Sequence, residues 1–246
     1  MVPVIFHNLA YDLHFLIKEL ATSTILEGKV DLLVVNKEKY ISFTKHIKGS
    51  YVNFRFIDSF RFMPSSLEKL ASYVQEKEYT KREFFKVGYL QEQIDLLLRK
   101  GVYPYDFTSS FESLQLRELP SKEDFYNKLN DSEISDEDYK HAKLVWNKLN
   151  IKNLGSYSDV YLKCDVMLLT DVFESFRLTC MEAYGLDPAH YFTTLGLTWS
   201  AFLKFTNVKL ELLTDIDQLL LIEKVFNNCH CNNLSLIHIS EPTRPY

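Results

Sequence analysis

The sequence predicts an α/β or α+β domain. Short apolar runs of strand length gather near its start, and longer segments with helical periodicity follow them. It has no Gly-rich phosphate loop, Cys-x-x-Cys pair or Gly-x-Ser-x-Gly elbow, which removes several enzyme classes built on such layers.

Val2-Pro3-Val4-Ile5-Phe6 is a short apolar run that stops at His7-Asn8, as a buried strand does. From Asp12 to Leu20, the residues Leu13, Leu16, Ile17 and Leu20 fall on one helical face. Asp31 to Val35 and Tyr40 to Phe43 read as two strands joined by the turn Asn36-Lys37-Glu38-Lys39. Tyr51 to Ile57 alternates Val52, Phe54 and Phe56 with Asn53 and Arg55, a strand with one buried face.

Ser65 or Ser66 is placed to cap a helix running through Val74. Residues 76–121 lack a clean period and read as loops with short helices. The carboxylates from Asp131 to Asp138 precede an amphipathic stretch, Tyr139 to Leu149, and favour the positive end of that helix. Ser156 with Asp159 has capping-box spacing and opens the strongest helix. Its apolar stripe is Val160, Leu169, Val172, Phe173 and Phe176, and Gly185 can end it after Tyr184. Residues 186–224 start a new unit with a helix near Thr198 to Thr206.

The chain has 246 residues, 46% of them hydrophobic and 25% charged, enough for one sizeable core or a core and the beginning of a second. A net charge of −5 argues against a protein that coats nucleic acid through phosphate contacts alone. It does not argue against a metal nuclease, whose acidic site meets phosphate through bound cations. Four cysteines are too few and too unevenly spaced for a disulfide scaffold, so a reduced intracellular compartment is expected. Residues 1–10 do not read as a signal peptide, and no apolar run reaches the ~18 residues of a membrane span.

Two segments carry chemistry. His7-Asn8-Leu9-Ala10-Tyr11-Asp12 joins a strand end to a helix start, where a carboxylate is well placed to hold a metal. Asn8 and Asp12 can equally be turn and cap residues. Tyr161-Leu162-Lys163-Cys164-Asp165 lies inside the strong helix, and its i,i+4 spacing puts Tyr161 and Asp165 on one face. A carboxylate that binds a cation beside a phenol that holds water suits metal-assisted hydrolysis. An exposed Asp beside a half-buried Tyr is the ordinary alternative.

Taken together, the segments resemble the exonuclease motifs of family B DNA polymerases. Asn8 to Asp12 resembles the second motif, Asn-x-x-(Phe/Tyr)-Asp, and Tyr161 to Asp165 resembles the third, Tyr-x-x-x-Asp. Ser66-Leu67-Glu68-Lys69-Leu70 is similar to the strand-contacting Ser/Thr-Leu-x-x-hydrophobic motif of the protein-primed branch. Phe56 to Met63, Lys128 to Ser132, Leu186 to Tyr191 and Leu210 to Asp217 are similar to Maverick/Polinton transposon and related viral polymerases, so the resemblance covers roughly residues 3–224.

The resemblance implies an RNase H-like exonuclease fold over 1–184, a mixed sheet flanked by helices, with the beginning of a polymerase palm region over 185–224. It implies that Asp12 and Asp165 hold two Mg²⁺ or Mn²⁺ ions and that Tyr161 orients the attacking water. Asn8 and Tyr11 would grip the frayed 3′ end, Ser66 and Leu67 the strand's backbone and sugar, and His7 and Phe15 single-stranded DNA or a terminal priming protein. Phe15 is as easily a core residue. The parent would take primer–template DNA and dNTPs.

The family's first motif, Asp-x-Glu, belongs on a strand upstream of His7, where this chain has six residues, so a truncated front and little nuclease activity alone are expected. The alternative is a transposon- or virus-derived remnant that binds single-stranded DNA or a protein partner without cleaving. From Val225 the family pattern is lost, and residues 234–246 resemble an in-frame translation of a sequencing-library adapter. Cys229-His230-Cys231 lacks the fourth ligand of a structural zinc site.

Overall fold

A computed structural model describes residues 1–10, 13–22, 27–34, 40–129, 131–211 and 213–228. Tyr11 and Asp12 lie outside the described residues, as do the Cys229-His230-Cys231 triplet and the adapter-like tail.

Four strands form one mixed sheet in the order β1-β4-β3-β2. They are β1 (Val2–Phe6), β2 (Val30–Val34), β3 (Tyr40–His46) and β4 (Asn53–Asp58). β1 runs parallel to β4 with Val4 opposite Phe56 and Phe6 opposite Asp58, while β4, β3 and β2 pair antiparallel. The final strand starts at Asn53, two residues later than its alternation suggested, and Tyr51 is fully exposed.

The period of two sends alternate residues of β4 to opposite layers. Phe56 stacks on Phe43, ring centroids 4.0 Å apart, under α1 (Leu13–Thr22), which adds Leu13, Leu16, Ile17 and Leu20. Ile57 faces the other way, toward Phe62, Phe176, Cys180 and Leu197. Lys45 is buried in β3. Its ammonium donates to the carbonyls of Leu20 (2.7 Å) and Gly28 (2.9 Å), so a charged side chain caps the end of α1. Gly28 is obligatory in physical terms: at φ +144° an added Cβ would stand 1.9 Å from the His46 carbonyl oxygen.

A helical layer builds the second and larger core. It comprises α2 (Leu67–Tyr73), α3 (Glu78–Val87), α4 (Gln91–Leu96), α5 (Asp136–Lys148) and the long α6 (Leu154–Tyr184). Leu67, Phe84, Ile94, Val145, Leu154, Leu168 and Val172 meet there. α6 is the spine, packing against both α2 and α3. Asp171, 4% exposed, accepts from the backbone N–H groups of Tyr79 (2.9 Å) and Thr80 (3.0 Å) and from the Thr80 hydroxyl, which docks the start of α3 onto α6.

The acidic residues Asp136, Glu137 and Asp138 do occupy the first turn of α5, behind the N-cap Ser135. α6 departs from the expected capping box. Asn153 caps it by accepting from the Ser156 N–H at 2.8 Å, so the helix begins before the Ser156 that was expected to open it. Its end is the expected Gly185, left-handed at φ +61°. α7 (Thr194–Thr206) and α8 (Ile216–Asn228) follow, the second unheralded in the sequence. Among the described residues no helix is long and apolar enough to cross a membrane.

Candidate functional site

α6 carries Tyr161 and Asp165 on one face, and the loop that follows α4 lies against it. Three bonds hold that loop in place. The buried Cys164 thiol donates to the Leu97 carbonyl at 3.0 Å, and burial pushes the thiol pKa up to about 12. The Tyr157 hydroxyl donates to the Val102 carbonyl at 2.7 Å. The hydroxyls of Tyr105 and Tyr161 are 2.8 Å apart. Lys100 then stands with its ammonium 3.9 Å from an Asp165 carboxylate oxygen. Gly101 passes close to the Tyr161 ring, where an added Cβ would touch it at 3.4 Å.

Two electrostatic features mark this face. The Asp165 carboxyl is raised above its usual range, chiefly by burial and against the pull of Lys100 and Tyr161. Its Oδ1 is buried and has no hydrogen-bond partner. Buried polar atoms are nearly always bonded, so an orphaned carboxylate oxygen calls for an explanation. The Tyr161 phenol is raised well above its ordinary value by burial and by the neighbouring Asp165 carboxylate, so it stays protonated at neutral pH.

A hard divalent cation bound by oxygen ligands fits that orphaned oxygen. Asp165 can therefore supply one arm of a Mg²⁺ or Mn²⁺ site. Among the described residues no three His, Cys, Asp or Glu side chains converge as a complete cluster. The other expected metal ligand, Asp12, lies outside them, as does Tyr11.

The first segment is built at the adjoining ends of β1 and β4. Asn8 sits in left-handed backbone at φ +66° and donates its N–H to Asp58 Oδ1 at 2.8 Å. Asp58 also accepts from the Phe60 N–H at 3.0 Å. The His7 ring bonds the Ser59 hydroxyl at 2.9 Å and the Ser65 carbonyl at 2.8 Å, with Phe60 edge-on to it. His7 and Asn8 are thus brought beside Asp58, Ser59 and Phe60.

Ser66 and Leu67 are accounted for by folding. The Ser66 hydroxyl caps α2 by accepting from the Lys69 N–H, and Leu67 packs in the helical core. Phe15 is not a core residue, since it is 77% exposed on α1. Sequence reasoning missed Lys100, Tyr103 and Tyr105. Their only local signal is the aromatic, Gly- and Pro-containing run Lys100 to Tyr105, and no spacing rule links it to a helix more than fifty residues on.

The family described as DNA polymerase type B, organellar and viral, matches residues 2–230. No curated protein and no solved structure gives a significant match. The family match takes in both segments and the loop between them, and the four-stranded mixed sheet flanked by helices is consistent with an RNase H-like exonuclease fold. The chain belongs to the organellar and viral type B DNA polymerases.

Proposed function

We propose that this chain is the 3′→5′ proofreading exonuclease region of a protein-primed DNA polymerase, with Asp165 and Tyr161 at its hydrolytic centre and Asp12 as the partner carboxylate. The observation that carries the reading is the buried, unpartnered Asp165 oxygen one helical turn from a protonated phenol. Residues 1–184 form the nuclease unit in this reading, and 185–224 begin the polymerase unit. A pair of Mg²⁺ or Mn²⁺ ions would polarise the scissile phosphate and supply hydroxide at neutral pH.

The chain's own residues do the rest. Asp165 offers its free oxygen as a ligand. The Tyr161 hydroxyl donates toward the reacting oxygens, and Tyr105 holds it in place. Lys100 offsets the carboxylate's charge and adds positive potential for the incoming phosphate. Asn8, Tyr11, His7 and Phe15 hold the frayed strand, with Phe60 as a further ring beside His7. Ser66 and Leu67, at the start of α2, hold the strand's backbone and sugar. Primer–template DNA, dNTPs and a priming protein are the partners proposed for the parent enzyme.

The test is degradation of a 3′-labelled single strand in Mg²⁺ or Mn²⁺. The chain should bind the strand and cleave it, and Asp165→Asn should abolish that cleavage. Cleavage unaffected by Asp165→Asn overturns the assignment. The second reading is a remnant that binds single-stranded DNA or a protein partner without cleaving. Binding that depends on Asn8 and Tyr11, with no cleavage in Mn²⁺, favours it.

A further inference from the structure

The loop Lys100 to Tyr105 contains an aromatic wedge that the hydrolytic reading does not use. The Tyr103 ring lies over two rings of α6 at once, 5.3 Å and 28° from Tyr161 and 6.3 Å and 11° from Tyr157. Tyr157 and Tyr161 are one helical turn apart, so a single flat ring can cover both. Tyr105 meets Tyr103 edge-on at 5.2 Å before its hydroxyl reaches Tyr161.

The wedge is itself fixed from behind. Tyr157 is buried, and its hydroxyl holds the Val102 carbonyl, the residue just before Tyr103. Pro104 follows, fully buried, and restricts the Tyr103 backbone to extended conformations. A tyrosine on a helix face has several staggered side-chain wells, and only some aim its hydroxyl at a given point. Here the ring is clamped on one face by Tyr103 and bonded at its tip by Tyr105.

We infer that Tyr103 is a positioning residue for Tyr161, selecting the single rotamer in which the Tyr161 hydroxyl reaches the attacking water. Tyr157 acts through it by anchoring the loop. The titratable and charged groups around this wedge are Asp165, Cys164 and Tyr157 from α6, Lys100, Arg99 and Tyr105 from the loop, and His141 from α5. The inference rests on Tyr161 being the working hydroxyl. Its test reads ring position without any nuclease step, so a failed nuclease assay and a failed positioning test are separate results.

The experiment places 3-fluorotyrosine at position 161 of the whole chain. It measures the ¹⁹F signal and its H₂O-to-D₂O isotope shift, with thermal stability recorded alongside. In the parent chain the signal should be single and shielded from solvent. Tyr103→Leu should broaden or split it and raise the isotope shift toward that of an exposed fluorotyrosine. Tyr103→Phe keeps the ring and should restore the parent signature. A folded Tyr103→Leu chain with the parent signature overturns the inference, as does a Tyr103→Phe chain that behaves like Tyr103→Leu. If Tyr103→Leu does not fold, Tyr157→Phe decides. It keeps every ring and cuts only the bond to Val102, so a partial loss of shielding supports the inference and an unchanged signal overturns it.

Discussion

Replacing Asp165 by Asn should stabilise the metal-free chain at neutral pH. Burial raises the folded carboxyl pKa above its unfolded value. A carboxyl shifted in that direction binds protons more tightly in the folded state, so its stability contribution is full below the unfolded pKa and is lost as pH rises through the folded one. At neutral pH, well above the unfolded pKa, the chain therefore bears a cost for this partly desolvated carboxyl. Asn keeps an unpartnered polar atom at that place, so only the extra desolvation cost of the charge is relieved, about 1–2 kcal/mol. Lys100, 3.9 Å away and partly solvated, returns ~0–1 kcal/mol of that. The net gain from neutralising this carboxylate by Asp165→Asn is about 1 kcal/mol, or roughly 2–4 °C in Tm for a chain of this size. Urea unfolding in a metal chelator at pH 7 and again near pH 3 checks it. The gain should be present at pH 7 and vanish at acid pH, where the native carboxyl is protonated in both states. A variant less stable at pH 7, or one whose gain is equal at both pH values, refutes the reasoning.

Three further outcomes follow from single contacts. Asp171→Ala leaves three donors at the start of α3, the two of Thr80 buried, without their acceptor and should cost about 3–5 kcal/mol by urea denaturation. Lys45→Met leaves the Leu20 and Gly28 carbonyls without their donor and should cost about 1–3 kcal/mol, with hydrogen exchange rising first at the end of α1. Tyr161→Phe removes the hydroxyl and keeps the ring, so strand binding should persist while any cleavage falls by about 10²-fold or more.

Local patterns carried part of this structure to the surface of the sequence. β1 was legible as a strand because five apolar residues end at a polar pair. It lies at the sheet edge with none of its residues buried, however, and is not the buried strand expected. The α2 cap was legible because Ser66 precedes an apolar-periodic run. The Tyr161 and Asp165 face was legible because helical spacing alone aligns them. What escaped was set by tertiary partners. Lys45 reads as an ordinary strand lysine until α1 brings the Leu20 carbonyl to it. Asp171 reads as a solvated helix residue until α3 docks on it. Asn153 took the cap that Ser156 was expected to supply, because an Asx side chain three residues before a free N–H competes well for that place. The loop Lys100 to Tyr105 has no periodicity at all, and its value to the site comes only from contacts more than fifty residues away.

The central claim is that the Asp165 oxygen is one arm of a hard-cation site beside tyrosine rings. Tyrosine-sensitised terbium(III) luminescence tests this most directly, since a lanthanide favours the same oxygen ligands and emits when bound close to a phenol. Titration of the chain should give emission that Mn²⁺ displaces and that Asp165→Asn removes. Emission of equal strength and equal Mn²⁺ sensitivity in Asp165→Asn would contradict the account.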